Sequence, residues 1–309
     1  RLLSRGLGDV YKRQLPGPPG IGIKEATSSN DTEIVQETSY TTSFASVENI
    51  RSMDKDGVSP HLEKVDDKTL RLFYSSIEVK GIAVSLCDYE LKCEIQGALE
   101  RMSDLTIIET LDGVRRGYYV ALNPQTKQKD IFTAVFSEDG LSYSNETPLG
   151  FPVDQNEIAW GVPDAVLMPD GLVRVYWVYT EDKTSDEKLV SATSKTTKGV
   201  EFVMDPGYRL ENGYVDFEVI RAVEGDWKAL MSYTPHYMPE IPQSLFYATS
   251  KDGLNWDLIE ERITPKGYSY FDPTAIQIDD KNFLVVGSAA PNTLGAREHI
   301  LFTAELVLP

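Results

Sequence analysis

Acidic side chains recur at regular intervals along this 309-residue chain. His61, Asp104, Asp164, Asp216 and Asp272 follow one another at 43, 60, 52 and 56 residues, and Glu218 stands two beyond Asp216. Carboxylates gathered at one funnel suit glycosyl transfer, in which one protonates the leaving oxygen while another activates water or attacks the anomeric carbon. Asp164, Asp216, Glu218 and Asp272 are therefore the candidate catalytic residues, with Glu218 as acid and Asp272 or Asp164 as base. His61, Asp104, Tyr233, His236, Tyr237 and Arg297 are candidates for holding a substrate, with Asn292 and Glu298 beside them. The competing reading is that each Asp caps the start of a strand by accepting backbone N–H groups of a neighbour.

Each of the five positions precedes a short apolar run, an acidic or Gly-containing turn and a second run rich in β-branched and aromatic residues. The third copy is the clearest: Ala165 to Met168, a turn at Pro169-Asp170-Gly171, then Leu172 to Tyr179, Leu189 to Ser194 and Val200 to Met204. Equivalent turns fall at Asp66-Asp67, Asp112-Gly113, Gly225-Asp226 and Asp279-Asp280. Helical periodicity is absent. Four antiparallel strands repeated five times predict an all-β, five-bladed propeller. The inner strand of every blade then begins at the same mouth of the channel, which brings the acidic positions together. Asp216 and Glu218, two apart on a strand, would share a side. The last copy lacks an outermost strand after Leu308, so the segment from Ile34 to Phe44, which alternates like a strand, is expected to close the ring.

A second motif, Ser250-Lys251-Asp252-Gly253-Leu254-Asn255-Trp256, resembles the Asp-box hairpin of sialidases and related propellers, and Ser137 to Tyr143 is a counterpart. Its Asp caps backbone N–H groups, its Gly takes positive φ and its aromatic packs between blades, all structural roles. Arg71, Arg115 or Arg116, and Arg174 hold similar places in second strands, where ion pairs between blades are expected rather than a clamp for an anionic ligand. Taken together, the Pro-Asp starts, the Asp-Gly turns, the Arg174 to Trp177 strand and the Asp-box-like hairpin resemble five-bladed glycoside hydrolase propellers, the group of arabinanases, xylosidases and invertase-like enzymes. The resemblance spans residues 34–309 and implies hydrolysis of a poly- or oligosaccharide. In that group a base Asp opens the first blade, a pKa-tuning Asp the second and an acid Glu the third; by position this chain offers His61, Asp104 and Asp164. A register using Asp164, Asp216 or Glu218, and Asp272 on three successive blades is preferred. The alternative functions are a non-catalytic glycan-binding or sialidase-like module and a protein-interaction scaffold.

The net charge of −18 and a pI near 4.6 disfavour nucleic acid and anionic membrane surfaces. No apolar run approaches the length of a membrane span. Residues 1–14 resemble translated sequencing-adapter strings and are expected to be foreign to the fold; without their four basic residues and one acidic residue the net charge becomes −21. Residues 15–33 read as linker or disorder, and 34–309 as one propeller domain. Cys87 and Cys93 are either a hairpin disulfide or two free thiols. A secreted or periplasmic setting is the expectation. No cofactor is assigned, although oxygen ligands are plentiful enough for a structural Ca²⁺ on the channel axis.

Overall fold

The computed structural model describes residues 39–42, 45–153, 161–180, 187–233, 243–291 and 299–308. Its secondary structure is entirely β, in five sheets arranged as the blades of a propeller. Blade 1 holds β3 (Val58–Lys64), β4 (Leu70–Ser76), β5 (Gly81–Cys87) and β6 (Cys93–Leu99). Blade 2 holds β7 (Ser103–Glu109), β8 (Arg115–Leu122), β9 (Lys129–Phe136) and β10 (Tyr143–Pro152). Blade 3 holds β11 (Asp164–Leu167), β12 (Val173–Tyr179), β13 (Lys188–Ser194) and β14 (Phe202–Met204). Blade 4 holds β15 (Tyr214–Val223), β16 (Asp226–Tyr233), β17 (Ser244–Ser250) and β18 (Trp256–Ile259).

Blade 5 is composite: β19 (Tyr268–Gln277), β20 (Asn282–Pro291) and β21 (Ile300–Val307) come from the end of the chain, while β2 (Ser46–Asp56) comes from its start and pairs antiparallel with β21. The ring is closed by an N-terminal strand, but a later one than Ile34 to Phe44. Of that segment, β1 (Ser39–Thr41) adds a fifth strand outside β2. The register explains the shift, because the wedge of space beside β21 takes the apolar Val47 and Ile50, which are buried against Phe302, Ala304 and Leu306.

The core lies between blades rather than within them. Second strands are buried on both faces, as in β4, where all seven residues are buried. Phe73, Val84 and Leu99 of blade 1 meet Leu105, Tyr119 and Phe132 of blade 2, and similar clusters fill the other four interfaces. Each of these blades therefore needs both neighbours to remove its apolar faces from water.

The turns between third and fourth strands latch neighbouring blades. The Asp252 carboxylate accepts N–H bonds from Leu254 (2.8 Å) and Asn255 (2.9 Å), and Gly253 takes φ 69°. That conformation brings the Gly253 carbonyl to the Tyr176 hydroxyl of blade 3, which donates to it at 2.7 Å, and Trp256 packs against Tyr176 and Phe217. Tyr118 of blade 2 repeats the bond to Gly199 of blade 3 at 2.8 Å. The arginines serve the same interfaces. Arg115 of blade 2 pairs with Glu63 of blade 1 at 2.7 Å, Arg71 joins that Glu at 3.2 Å, and Arg174 pairs with Asp205 while donating to the Asp252 carbonyl of blade 4. Cys87 and Cys93 form a disulfide across the β5–β6 hairpin.

Candidate active site

Every inner strand starts with the same irregularity. Ser59, Asp104, Val162, Asp216 and Asp272 all have positive φ, between 40° and 52°. In blades 1, 2, 4 and 5 the ladder skips two residues there: Val58 pairs with Ser75, and the next partners are His61 and Phe73. Three of the five following residues are prolines (Pro60, Pro163 and Pro273), whose missing N–H costs nothing at an unpaired position. The bulge kinks the strand and turns side chains toward the axis.

Two stacked rings result. The outer ring consists of the positive-φ residues Ser59, Asp104, Val162, Asp216 and Asp272. The inner ring, two residues on, consists of His61, Thr106, Asp164, Glu218 and Thr274. The single ring expected from sequence thus mixes two levels, with His61 and Asp164 on one and Asp104, Asp216 and Asp272 on the other. Asp216 and Glu218 line the same cavity at different levels because the bulge lies between them.

The inner ring ties blades together. His61 accepts the Ile107 N–H on Nε2 at 3.1 Å, Asp164 accepts the Val219 N–H at 2.9 Å, and Thr274 accepts the Leu62 N–H at 3.3 Å. Glu218 takes the Ala275 N–H and, at 2.9 Å, the Thr274 hydroxyl. In each case the side chain reaches the backbone of the following blade. Strand capping therefore holds for these side chains, and His61 is a neutral acceptor whose pKa burial pushes down.

Glu218 and Asp164 do more than cap, because their carboxyls are hydrogen-bonded to each other. Burial first, and then the Asp164 charge, hold Glu218 well above the usual carboxylate range. Burial pushes Asp164 up to about 7. Glu218 is the member held protonated, a carboxylic acid maintained by an adjacent carboxylate.

A second pair lies in the outer ring. Asp216 accepts the Asp272 N–H at 3.3 Å and the Gln243 amide at 3.3 Å, together with the Ser232 hydroxyl. Asp272 accepts the Ser59 N–H at 3.0 Å and the Ser288 hydroxyl at 3.0 Å. Burial raises both pKa values, and for Asp272 the charges of Asp216 and then Asp104 add to it. Asp104, raised by burial, accepts hydroxyls from Ser59 (2.7 Å) and Ser103 (3.1 Å).

Ser59, His61, Asp104, Thr106, Asp216, Glu218 and Asp272 line one narrow cavity of about 30 Å³ on the axis, with Pro60, Leu105, Val162, Pro163, Phe217 and Pro273 as its apolar wall. That is room for roughly two waters. Asp164 reaches it only through its bond to Glu218. Tyr233 does not line it: its ring stacks on Tyr214 at 4.2 Å on the blade 4 rim. His236, Tyr237, Asn292, Arg297 and Glu298 lie outside the described residues. Among the described residues no group of three or more His, Cys, Asp or Glu side chains is arranged to hold a metal ion.

Sequence reasoning missed Ser59, Thr106, Ser232, Gln243, Thr274 and Ser288. Aligning the copies on Pro60, Pro163 and Pro273, rather than on the acidic residue, would have recovered the first two levels of the site. The seryl partners on second strands carry no such signal.

No protein-family model matches this chain, and no curated protein is significantly similar to it in sequence. Solved structures match throughout the fold. A thermostable family-43 glycoside hydrolase is 15% identical with a TM-score of 0.64, covering 82% of this chain and 90% of its own. An N-acetylgalactosamine deacetylase from F. plautii, solved with blood group B trisaccharide, is 9% identical with a TM-score of 0.59, covering 89% and 92%. An endo-arabinase from Bacteroides thetaiotaomicron is 13% identical with a TM-score of 0.59, covering 81% and 94%. At these identities the likeness establishes one thing, that the chain shares its five-bladed propeller fold with carbohydrate-active proteins.

Proposed function

We propose that the chain is a glycoside hydrolase acting on a poly- or oligosaccharide. The observation that carries this reading is the gathering of Asp104, Asp216, Glu218 and Asp272 on the wall of one axial cavity, with Asp216 hydrogen-bonded to Asp272 and Glu218 hydrogen-bonded in turn to Asp164. Glu218, kept protonated by crowding and by Asp164, donates its proton to the leaving glycosidic oxygen. The Asp216–Asp272 pair shares a proton and so presents one carboxylate, which takes a proton from water or attacks the anomeric carbon. Asp104 adds negative charge that favours a developing oxocarbenium ion.

The substrate class follows from charge. Among the described residues the cavity wall has four carboxyls and neither Arg nor Lys, while the arginines are spent on blade contacts. A sugar without an acid group is favoured over a uronate, a sulfated sugar or a sialic acid. The Cys87–Cys93 disulfide supports a secreted or periplasmic setting.

The test is a panel of neutral and acidic glycans assayed for reducing-end release with the parent protein and with Glu218→Gln, Asp216→Asn and Asp272→Asn. Turnover of a neutral glycan that each substitution lowers by at least 100-fold is expected; undiminished turnover in all three overturns the reading. One observation favours a second reading, a glycan-binding module without turnover: the mouth carboxyls are heavily engaged in tying blades. Calorimetric binding with no released product would select it.

A further inference from the structure

We propose that Ser232 and Ser288 are positioning residues, each fixing one carboxylate oxygen of an outer-ring aspartate so that its other oxygen is presented to the cavity. This rests on the reading of Asp216 and Asp272 as the reacting carboxylate pair. The two serines occupy one structural position. Val215 pairs with Ser232 and Phe271 with Ser288, so each hydroxyl lies across the ladder from the residue preceding a positive-φ aspartate. Both serines are fully buried. Ser288 donates to Asp272 Oδ2 at 3.0 Å, and Ser232 donates to Asp216 Oδ2.

The remaining donors fall on the same oxygens. Asp272 Oδ2 also receives the Ser59 N–H, and Asp216 Oδ2 also receives the Asp272 N–H and the Gln243 amide, which in turn donates to Ser232 Oγ at 2.8 Å. Gln243 is anchored by the blade 5 backbone, since its carbonyl accepts the Tyr270 N–H at 2.9 Å. Fixing one oxygen removes rotation about the terminal carboxyl torsion, which is otherwise broad. A hydroxyl donor also favours the ionised form. Ser75 occupies the same position in blade 1, pairing with Val58, but there the positive-φ residue is Ser59 and no carboxylate is served. It is a built-in control.

The experiment is a ¹³C carboxyl NMR titration of the parent protein, Ser232→Ala, Ser288→Ala, Ser288→Thr and Ser75→Ala, run beside the pH dependence of kcat on whichever glycan is cleaved. In the two alanine variants the first ionisation of the aspartate pair should move up by about half a pH unit or more, and the acidic limb of kcat with it, while KM changes little. Threonine should restore both, and Ser75→Ala should move neither. Folded alanine variants whose ionisations stay in place overturn the proposal. Should either alanine variant fail to fold, Gln243→Ala reads the same Asp216 oxygen, with the same upward shift expected and an unshifted ionisation counting against it. Because the titration needs no substrate, an inactive parent protein would refute hydrolysis and still decide the role of the serines.

Discussion

His61 of blade 1 accepts the backbone N–H of Ile107 in blade 2 at 3.1 Å, through Nε2. The acceptor role fixes the tautomer with the proton on Nδ1. Removing the ring in His61→Ala leaves a buried N–H without its partner and should cost about 1–3 kcal/mol in urea unfolding. Burial depresses this pKa, so the bond's stabilisation is complete above about pH 6.5 and is lost as pH falls through the lower folded value. His61→Ala should therefore flatten the fall in stability on the acid side of that value.

Asp164 runs in the opposite sense. Its carboxyl is pushed up to about 7 in the folded state from an ordinary value near 3.8, so the folded protein binds the extra proton. Stability contributed by that proton is present below about pH 4 and is lost as pH rises to about 7. Asp164→Asn keeps an acceptor for Val219 and should abolish this decline. It also removes the charge that holds Glu218 protonated, so the alkaline limb of any hydrolysis should move to lower pH.

Val162 is the one β-branched residue among the positive-φ positions of the inner strands, with φ 40°. Such a backbone costs roughly 1–3 kcal/mol for a branched side chain. Val162→Asn places a residue tolerant of that conformation beside the cavity, and the expected result is a gain of about 1 kcal/mol in thermal unfolding, with no loss of turnover.

The Cys87–Cys93 bond closes a short loop, six residues in separation. The loop-closure model assigns such a link roughly 2 kcal/mol. Replacing both cysteines by serine should lower stability by about that amount and speed amide exchange in β5 and β6, while the axial cavity, lined by first strands with β4 between it and the disulfide hairpin, keeps its activity.

The blade count and the antiparallel order were legible because turn residues and β-branched runs recur with each copy, and the second strands, buried on both faces, read as unbroken apolar runs such as Val175 to Val178. The arginine pairs between blades were legible for the same periodic reason. The two-level site was not. Periodicity of acidic side chains places Asp164 beside Asp272, whereas backbone geometry places Asp164 with His61 and Thr274, and only the prolines mark the bulge that separates the levels. The ring-closing strand was displaced because alternation from Ile34 to Phe44 outweighs the irregular pattern of Ser46–Asp56, which contains positive-φ residues at Asn49 and Asp54.

The composite fifth blade dictates an order of assembly. Residues 46–56 leave the ribosome before any strand of blades 1 to 4, yet their partner β21 ends at Val307, about 250 residues later. During synthesis β1 can pair with one edge of β2, but the edge that belongs to β21 has no partner nearby, and blades 1 to 4 accumulate with an unshielded face at each end. The final pairing is a long-range closure whose entropic cost falls due only once the whole chain is free. Translation cannot complete this molecule piecemeal: until the two ends find each other, the cavity has no fifth wall.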